Sequence, residues 1–170
     1  MSLNTAVRNW TSQRVWVVGA SSGIGLALAQ ALISLGARVA VSARRAEPLL
    51  ALASAHPQQV LALPLNMTEN ADWDSAWNNI NSAWQGADWV VFCAADYTPI
   101  RAWELNRDRA AQLIDINFTG TLRGVATVLP DFLARGSGGI AIVASVAGYM
   151  GLPKSLVYGP TKAALINFAE

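Results

Sequence analysis

Tyr158 and Lys162 stand four residues apart, and Ser145 precedes the tyrosine by thirteen. On a helix that four-residue spacing puts both side chains on one face, within reach of each other. A free tyrosine, with a pKa of about 10, is a poor base at neutral pH, but a neighbouring ammonium favours its phenolate. The same phenol can hand a proton to a carbonyl oxygen that the Ser145 hydroxyl also hydrogen-bonds. Asn117, in Ile114-Asp115-Ile116-Asn117, falls inside a predicted helix, where asparagine is intrinsically unfavourable. Holding a water and relaying protons to Lys162 would explain it; a buried, satisfied structural asparagine is the alternative.

A second cluster has chemistry of a different kind. Gly19-Ala20-Ser21-Ser22-Gly23-Ile24-Gly25 follows an apolar run and opens an Ala/Leu-rich segment of helical period. Gly19 permits the tight turn, Gly23 lets the backbone approach a pyrophosphate, and Gly25 allows close helix–sheet packing, while free N–H groups at the helix start meet the anion. Ser21 and Ser22 add hydroxyl donors. After the second predicted strand comes Val41-Ser42-Ala43-Arg44-Arg45, with no carboxylate to bind a free ribose 2′-hydroxyl. Arg44 offers a guanidinium fork and Ser42 a hydroxyl to a 2′-phosphate, favouring NADP(H) over NAD(H); a solvated basic start to the next helix is the alternative.

The elements that must hold these residues alternate between short β-rich runs and longer helical ones, which predicts βαβ units around a parallel sheet. Strands are expected at Arg14–Gly19, Arg38–Ala43, Val60–Pro64, Asp88–Cys93 and Ile140–Ser145. Helices are expected at Gly23–Leu35, closed by Gly36, at Glu47–Ala55, from a Thr68 cap to about Gln85 with Gly86 as stop, and over roughly Arg107 to Leu133. A last helix contains Lys162 through Glu170, and Pro160 makes it either start near Tyr158 or kink. Trp73, Trp77 and Trp84 share helical spacing, which is read as packing against a sheet, with a partner-binding stripe as the alternative.

Taken together, Gly19, Gly23 and Gly25 as G-x-x-x-G-x-G, Ser145 at a strand end, and Tyr158-x-x-x-Lys162, in that order over about Arg14 to Glu170, resemble the short-chain dehydrogenase/reductase family. The resemblance implies a Rossmann-like, doubly wound parallel α/β sheet with helices on both faces. It also implies hydride transfer between NADP(H) and a small-molecule carbonyl or alcohol substrate. Catalysis would fall to Asn117, Ser145, Tyr158 and Lys162. Cofactor contacts would come from Gly19, Ser21, Ser22, Gly23, Ile24, Gly25, Ser42, Arg44, Arg45, Asn66, Met67, Ala94 and Ala95, together with Tyr158 and Lys162. Two places depart from the family pattern: its Asn-Asn-Ala-Gly aligns with Phe92-Cys93-Ala94-Ala95, and its aspartate near adenine aligns with Asn66. Ala95 adds a methyl where glycine would allow close approach, and Asn66 loses a charge, so either change is expected to lower cofactor affinity.

Composition narrows the remaining classes. With 170 residues, 53% hydrophobic and 14% charged, the chain has apolar material for one buried domain, and nothing divides it. A net charge of +1 gives no broad footprint for nucleic acid or an anionic membrane. The lone Cys93 and lone His56 exclude an internal disulfide, make a Cys/His zinc site implausible and fit a reducing, cytoplasmic compartment. His56 is read as a solvated loop residue and Cys93 as a small core residue. The amino terminus lacks the apolar core of a signal peptide, and no run reaches the length of about 18 apolar residues that a membrane span needs.

Only five strands are found and the chain stops without a helix stop signal, so the fold is expected to be incomplete at its C-terminus, lacking the final strand or strands and the substrate-closing segment. The family resemblance implies a homodimer or homotetramer built on the helices at 107–133 and 162–170. Tyr97–Ile100 and Val146–Leu152 are the expected pocket contributors. Two other functions stand beside the enzyme: a nucleotide-binding but catalytically silent fragment, and an interaction domain that has lost the cofactor.

Overall fold

The computed structural model describes residues 7–170. The reading of the amino terminus as lacking a signal-peptide core lies largely outside them. Five parallel strands form one sheet in the order β3-β2-β1-β4-β5. The strands are β1 Arg14–Val18, β2 Arg38–Ser42, β3 Val60–Ala62, β4 Trp89–Phe92 and β5 Gly139–Ile142. The helices are α1 Gly23–Ser34, α2 Ala46–Ala55, α3 Asn70–Trp84, α4 Arg107–Ile114, α5 Gly120–Arg135 and α6 Tyr158–Ala169.

The alternation of side chains along β1 explains how one short strand serves two cores. Val15 and Val17 join Val39, Val41, Ala29, Leu32, Ile33 and Leu49 on the face covered by α1 and α2. Trp16 and Val18 point the other way, into Trp73, Trp77, Ile80, Phe92, Val125, Val128 and Phe132 beneath α3 and α5. Such two-sided burial is why the central strands read as continuous apolar runs rather than alternating ones. Trp73 and Trp77 pack on the sheet: Trp16 meets Trp73 edge-on at 5.6 Å and stacks with Trp77 at 6.0 Å.

Four expectations about elements are corrected. Thr68 does not cap α3; its N–H is taken by Asn66 Oδ1 in a local turn, and the helix starts at Asn70 with Glu69 before it. α3 ends at Gln85 as expected, but Gln85 itself takes the left-handed conformation (φ 61°) ahead of Gly86, which was expected to supply the stop. The expected helix from Arg107 is interrupted by a π-turn at Asp115–Thr119. Ser145 lies beyond β5, opening a 3-10 turn at Val146–Gly148 whose Ala147 N–H donates to Ser145 Oγ. For Pro160 the first of the two expected outcomes holds: α6 starts at Tyr158, which makes the proline its third residue, inside the first turn, where its missing N–H has no helical partner to lose.

Among the described residues, no helix is long and apolar enough to cross a membrane.

Candidate active site

Strand order reverses between β1 and β4, and in open α/β sheets the crevice beyond the strand ends at such a switch point is where ligands bind. A cavity of about 500 Å³ opens there. The turn from β1 into α1 forms one wall and the chain leaving β4, Cys93–Tyr97, the other.

These walls touch through glycine. Gly19 sits at φ 96°, and a side chain on it would strike the backbone of Ala94. A Cβ on Gly25 would meet the carbonyl of Gly19. Gly19 and Ala20 donate their N–H groups to the Ser42 carbonyl at 2.7 and 3.0 Å, pinning the turn to the end of β2. The start of α1 has no side-chain cap and no acidic residue in its first turn. Its free N–H groups and positive dipole end therefore face the cavity uncompensated, which suits a pyrophosphate.

Gly19, Ser21, Ser22, Gly23, Ile24, Gly25, Arg44, Asn66, Met67, Ala94 and Ala95 line this one cavity. Arg45 lies at its rim, its Nη2 3.4 Å from both the carbonyl and the hydroxyl oxygen of Ser21. Ser42 differs from the expectation that its hydroxyl faces a phosphate. It is fully buried, and its Oγ accepts the indole N–H of Trp16 at 2.9 Å, so only its carbonyl serves the turn. Cys93, Asp96, Ile116 and Leu65 also line the cavity but were not singled out as site residues. For Cys93 and Asp96, the signal that could have found them is their place just beyond the carboxyl end of β4, beside the switch point.

On the far side, α6 carries Tyr158 and Lys162 one turn apart, with Lys162 Nζ 5.6 Å from the centre of the Tyr158 ring. Lys162 is 2% exposed and its ammonium donates to the Val143 carbonyl at 2.7 Å. Burial pushes its pKa below the ordinary lysine value, opposed by the nearby Cys93 thiol; burial in turn pushes that thiol up. Tyr97, on the cavity wall, meets Tyr158 edge-on with ring centres 5.1 Å apart. Asn117 is fully buried in the π-turn, and its side chain grips the backbone of Asp96 twice: Oδ1 accepts the Asp96 N–H at 2.7 Å and Nδ2 donates to the Asp96 carbonyl at 2.8 Å. Among the described residues no hydrogen bond joins Ser145 to Tyr158, although Ser145 stands two residues after the carbonyl that holds Lys162.

The family model described as short chain dehydrogenase matches residues 13–170. An uncharacterized oxidoreductase of Listeria monocytogenes is 35% identical over 159 residues, covering 91% of this chain and 63% of the relative. A solved short-chain dehydrogenase from Streptomyces avermitilis superposes with a TM-score of 0.88 at 29% identity, covering 92% of this chain and 58% of that one. A Brucella melitensis chain solved as a ribose-5-phosphate isomerase gives 0.89 at 31% identity, covering 97% and 63%. This chain thus spans 58 to 63% of the length of these three relatives.

Proposed function

Because the chain belongs to the short-chain dehydrogenase family, we propose that it is an NADP(H)-dependent oxidoreductase acting between a carbonyl and an alcohol. Fold likeness alone does not choose the chemistry, since one structural neighbour bears an isomerase's name. The reading rests on one juxtaposition: a buried lysine one helical turn from Tyr158, whose ring touches the wall of a cavity headed by an uncapped helix start.

The bound dinucleotide would supply or accept the hydride at the substrate carbon. In the reductive direction Tyr158 would give its phenolic proton to the substrate oxygen, leaving the alcohol and a phenolate; the reverse reaction returns that proton. Ser145 would hold the same oxygen by a hydrogen bond. Lys162 spends one of its three N–H donors on Val143, and the other two would be available to ribose hydroxyls while its charge favours the phenolate. Asn117, held against Asp96, would shape the path by which protons reach Lys162. Arg44 at the cavity edge and Arg45 beside Ser21 favour a 2′-phosphate. With Ser42 turned into the core, the preference rests on these two arginines.

A groove of about 470 Å³ between α4 and α6, lined by Leu105, Ile114, Phe118, Leu156 and Ala164, supports the expected self-association. The lone Cys93 fits a reducing cytoplasm.

The deciding experiment is turnover of a carbonyl substrate panel with NADPH by parent and Tyr158→Phe, alongside calorimetric cofactor binding. Turnover that falls to background with binding intact supports the reading; unchanged turnover removes it. A second reading, nucleotide binding without catalysis, is favoured by the exposure of Tyr149 (79%) and Met150 (66%) beside Ser145. Binding without turnover in the parent would select it, and absence of binding would leave an interaction domain.

A further inference from the structure

We propose that Arg109, with Asp96 and Thr98, is a positioning brace that sets the angle of Tyr97 against Tyr158 and so acts on the chemical step rather than on cofactor affinity. This rests on the assignment of Tyr158 as the proton donor.

The chain leaving β4 is gripped from two directions. Asn117 holds the Asp96 backbone by its N–H and carbonyl. Arg109 Nη2 holds the Asp96 carboxylate at 3.1 and 3.0 Å, and the same nitrogen bonds the Thr98 hydroxyl. Arg109 Nη1 is held at 2.6 Å by Gln112, which leaves the guanidinium little freedom to leave.

Tyr97 is therefore flanked on both sides by residues tied to one arginine. Tyr97 is 53% exposed, and its ring has edge-on contact with Tyr158 at 5.1 Å and 77°. An exposed ring on a free loop would sample many rotamers; clamping residues 96 and 98 confines the backbone that aims it.

The π-turn makes the double grip possible. Residues eight apart on an uninterrupted α-helix diverge by about 80° around its axis. The wider turn at Asp115–Thr119 winds less per residue, drawing Arg109 and Asn117 towards one side, where both meet Asp96.

The Arg109–Asp96 pair is about one-third exposed on each side, so its worth as an isolated salt bridge is small. Its value is geometric, and the test must read geometry and rate separately. Arg109→Gln, Arg109→Lys, Asp96→Asn and the Gln/Asn double variant are compared with the parent for kcat, KM, NADPH dissociation constant and amide exchange over 94–98.

The expected result for Arg109→Gln is a loss of about tenfold in kcat, with NADPH affinity within about twofold of the parent and faster exchange over 94–98. Arg109→Lys recovers part of the rate, and the double variant is no slower than the worse single one, because both remove one brace. A kcat within about twofold of the parent, or cofactor affinity falling as far as kcat, overturns the proposal. If Tyr158→Phe leaves turnover intact, the functional reading fails by itself. The exchange measurement still judges the brace, and unchanged protection at 94–98 in Arg109→Gln overturns it.

Discussion

The Lys162 ammonium, 2% exposed, is held by the Val143 carbonyl at 2.7 Å. A charge in such a place costs stability.

Replacing it with methionine should raise stability at pH 7 by about 1 kcal/mol, the relief of burying a charge exceeding the lost hydrogen bond. Turnover should fall by about a hundredfold or more. The pH dependence has a definite sign. Burial lowers the folded-state pKa, so the unfolded chain holds this proton more tightly. Parental stability therefore climbs as pH rises through the lowered folded value towards the ordinary 10.5, and the advantage of Lys162→Met shrinks over that window. Urea unfolding at a series of alkaline pH values checks it; an advantage that grows with pH would be the wrong sign.

Arg44→Ala should weaken NADPH binding by about ten- to a hundredfold, as the loss of a charge-assisted contact to a phosphate predicts. NADH binding should change little. Titration calorimetry with both dinucleotides reads the difference, and equal losses would dissolve the case for NADP.

Asp88 ties the start of β1 to the end of α3. Its Oδ2 accepts the Arg14 backbone N–H at 2.9 Å and Nε at 3.0 Å, while Arg14 Nη1 donates to the Trp84 carbonyl at 2.7 Å. Burial pushes the Asp88 pKa up, but the Arg14 hydrogen bonds and the charges of Arg14 and Arg135 outweigh it, and the net shift is downward. A lowered carboxylate pKa contributes stability that is full above the unfolded value, near pH 4, and is lost as pH falls towards the folded one. Asp88→Asn should cost about 1–3 kcal/mol at neutral pH, with a gap to the parent that narrows below about pH 4. Urea midpoints at pH 7 and pH 3 give both numbers.

Much of this was legible in the chain itself. The Val/Trp run of β1, the glycine turn and the one-turn spacing of Tyr158 and Lys162 are local patterns, and local patterns survive folding when burial agrees with them. Ser42 departs from its expected role for a reason of strand parity. It is two residues from Ala40, which shares a core with Trp16, so strand alternation places its hydroxyl on that side. The π-turn has no periodic signature; it accompanies the reach of Asn117 to Asp96, twenty-one residues earlier. Arg109 and Asp96 meet across thirteen residues, a pairing that no helical or strand period encodes. Thr68 looked like a cap because its type is right, yet Asp72 in the first turn of α3 reaches back to the Asn66 N–H and the helix begins later.

Ser42 also constrains how this fold can be re-engineered. Its hydroxyl belongs to the tryptophan cluster and its carbonyl to the glycine turn between β1 and α1, so one residue is shared between two otherwise separate pieces of the molecule. Any exchange there that suited a different ribose would have to be accepted by an indole in the core as well. Any freedom to change nucleotide preference would therefore lie downstream, at Arg44 and Arg45, whose side chains are exposed; Ala43 between them and Ser42 still packs against the core.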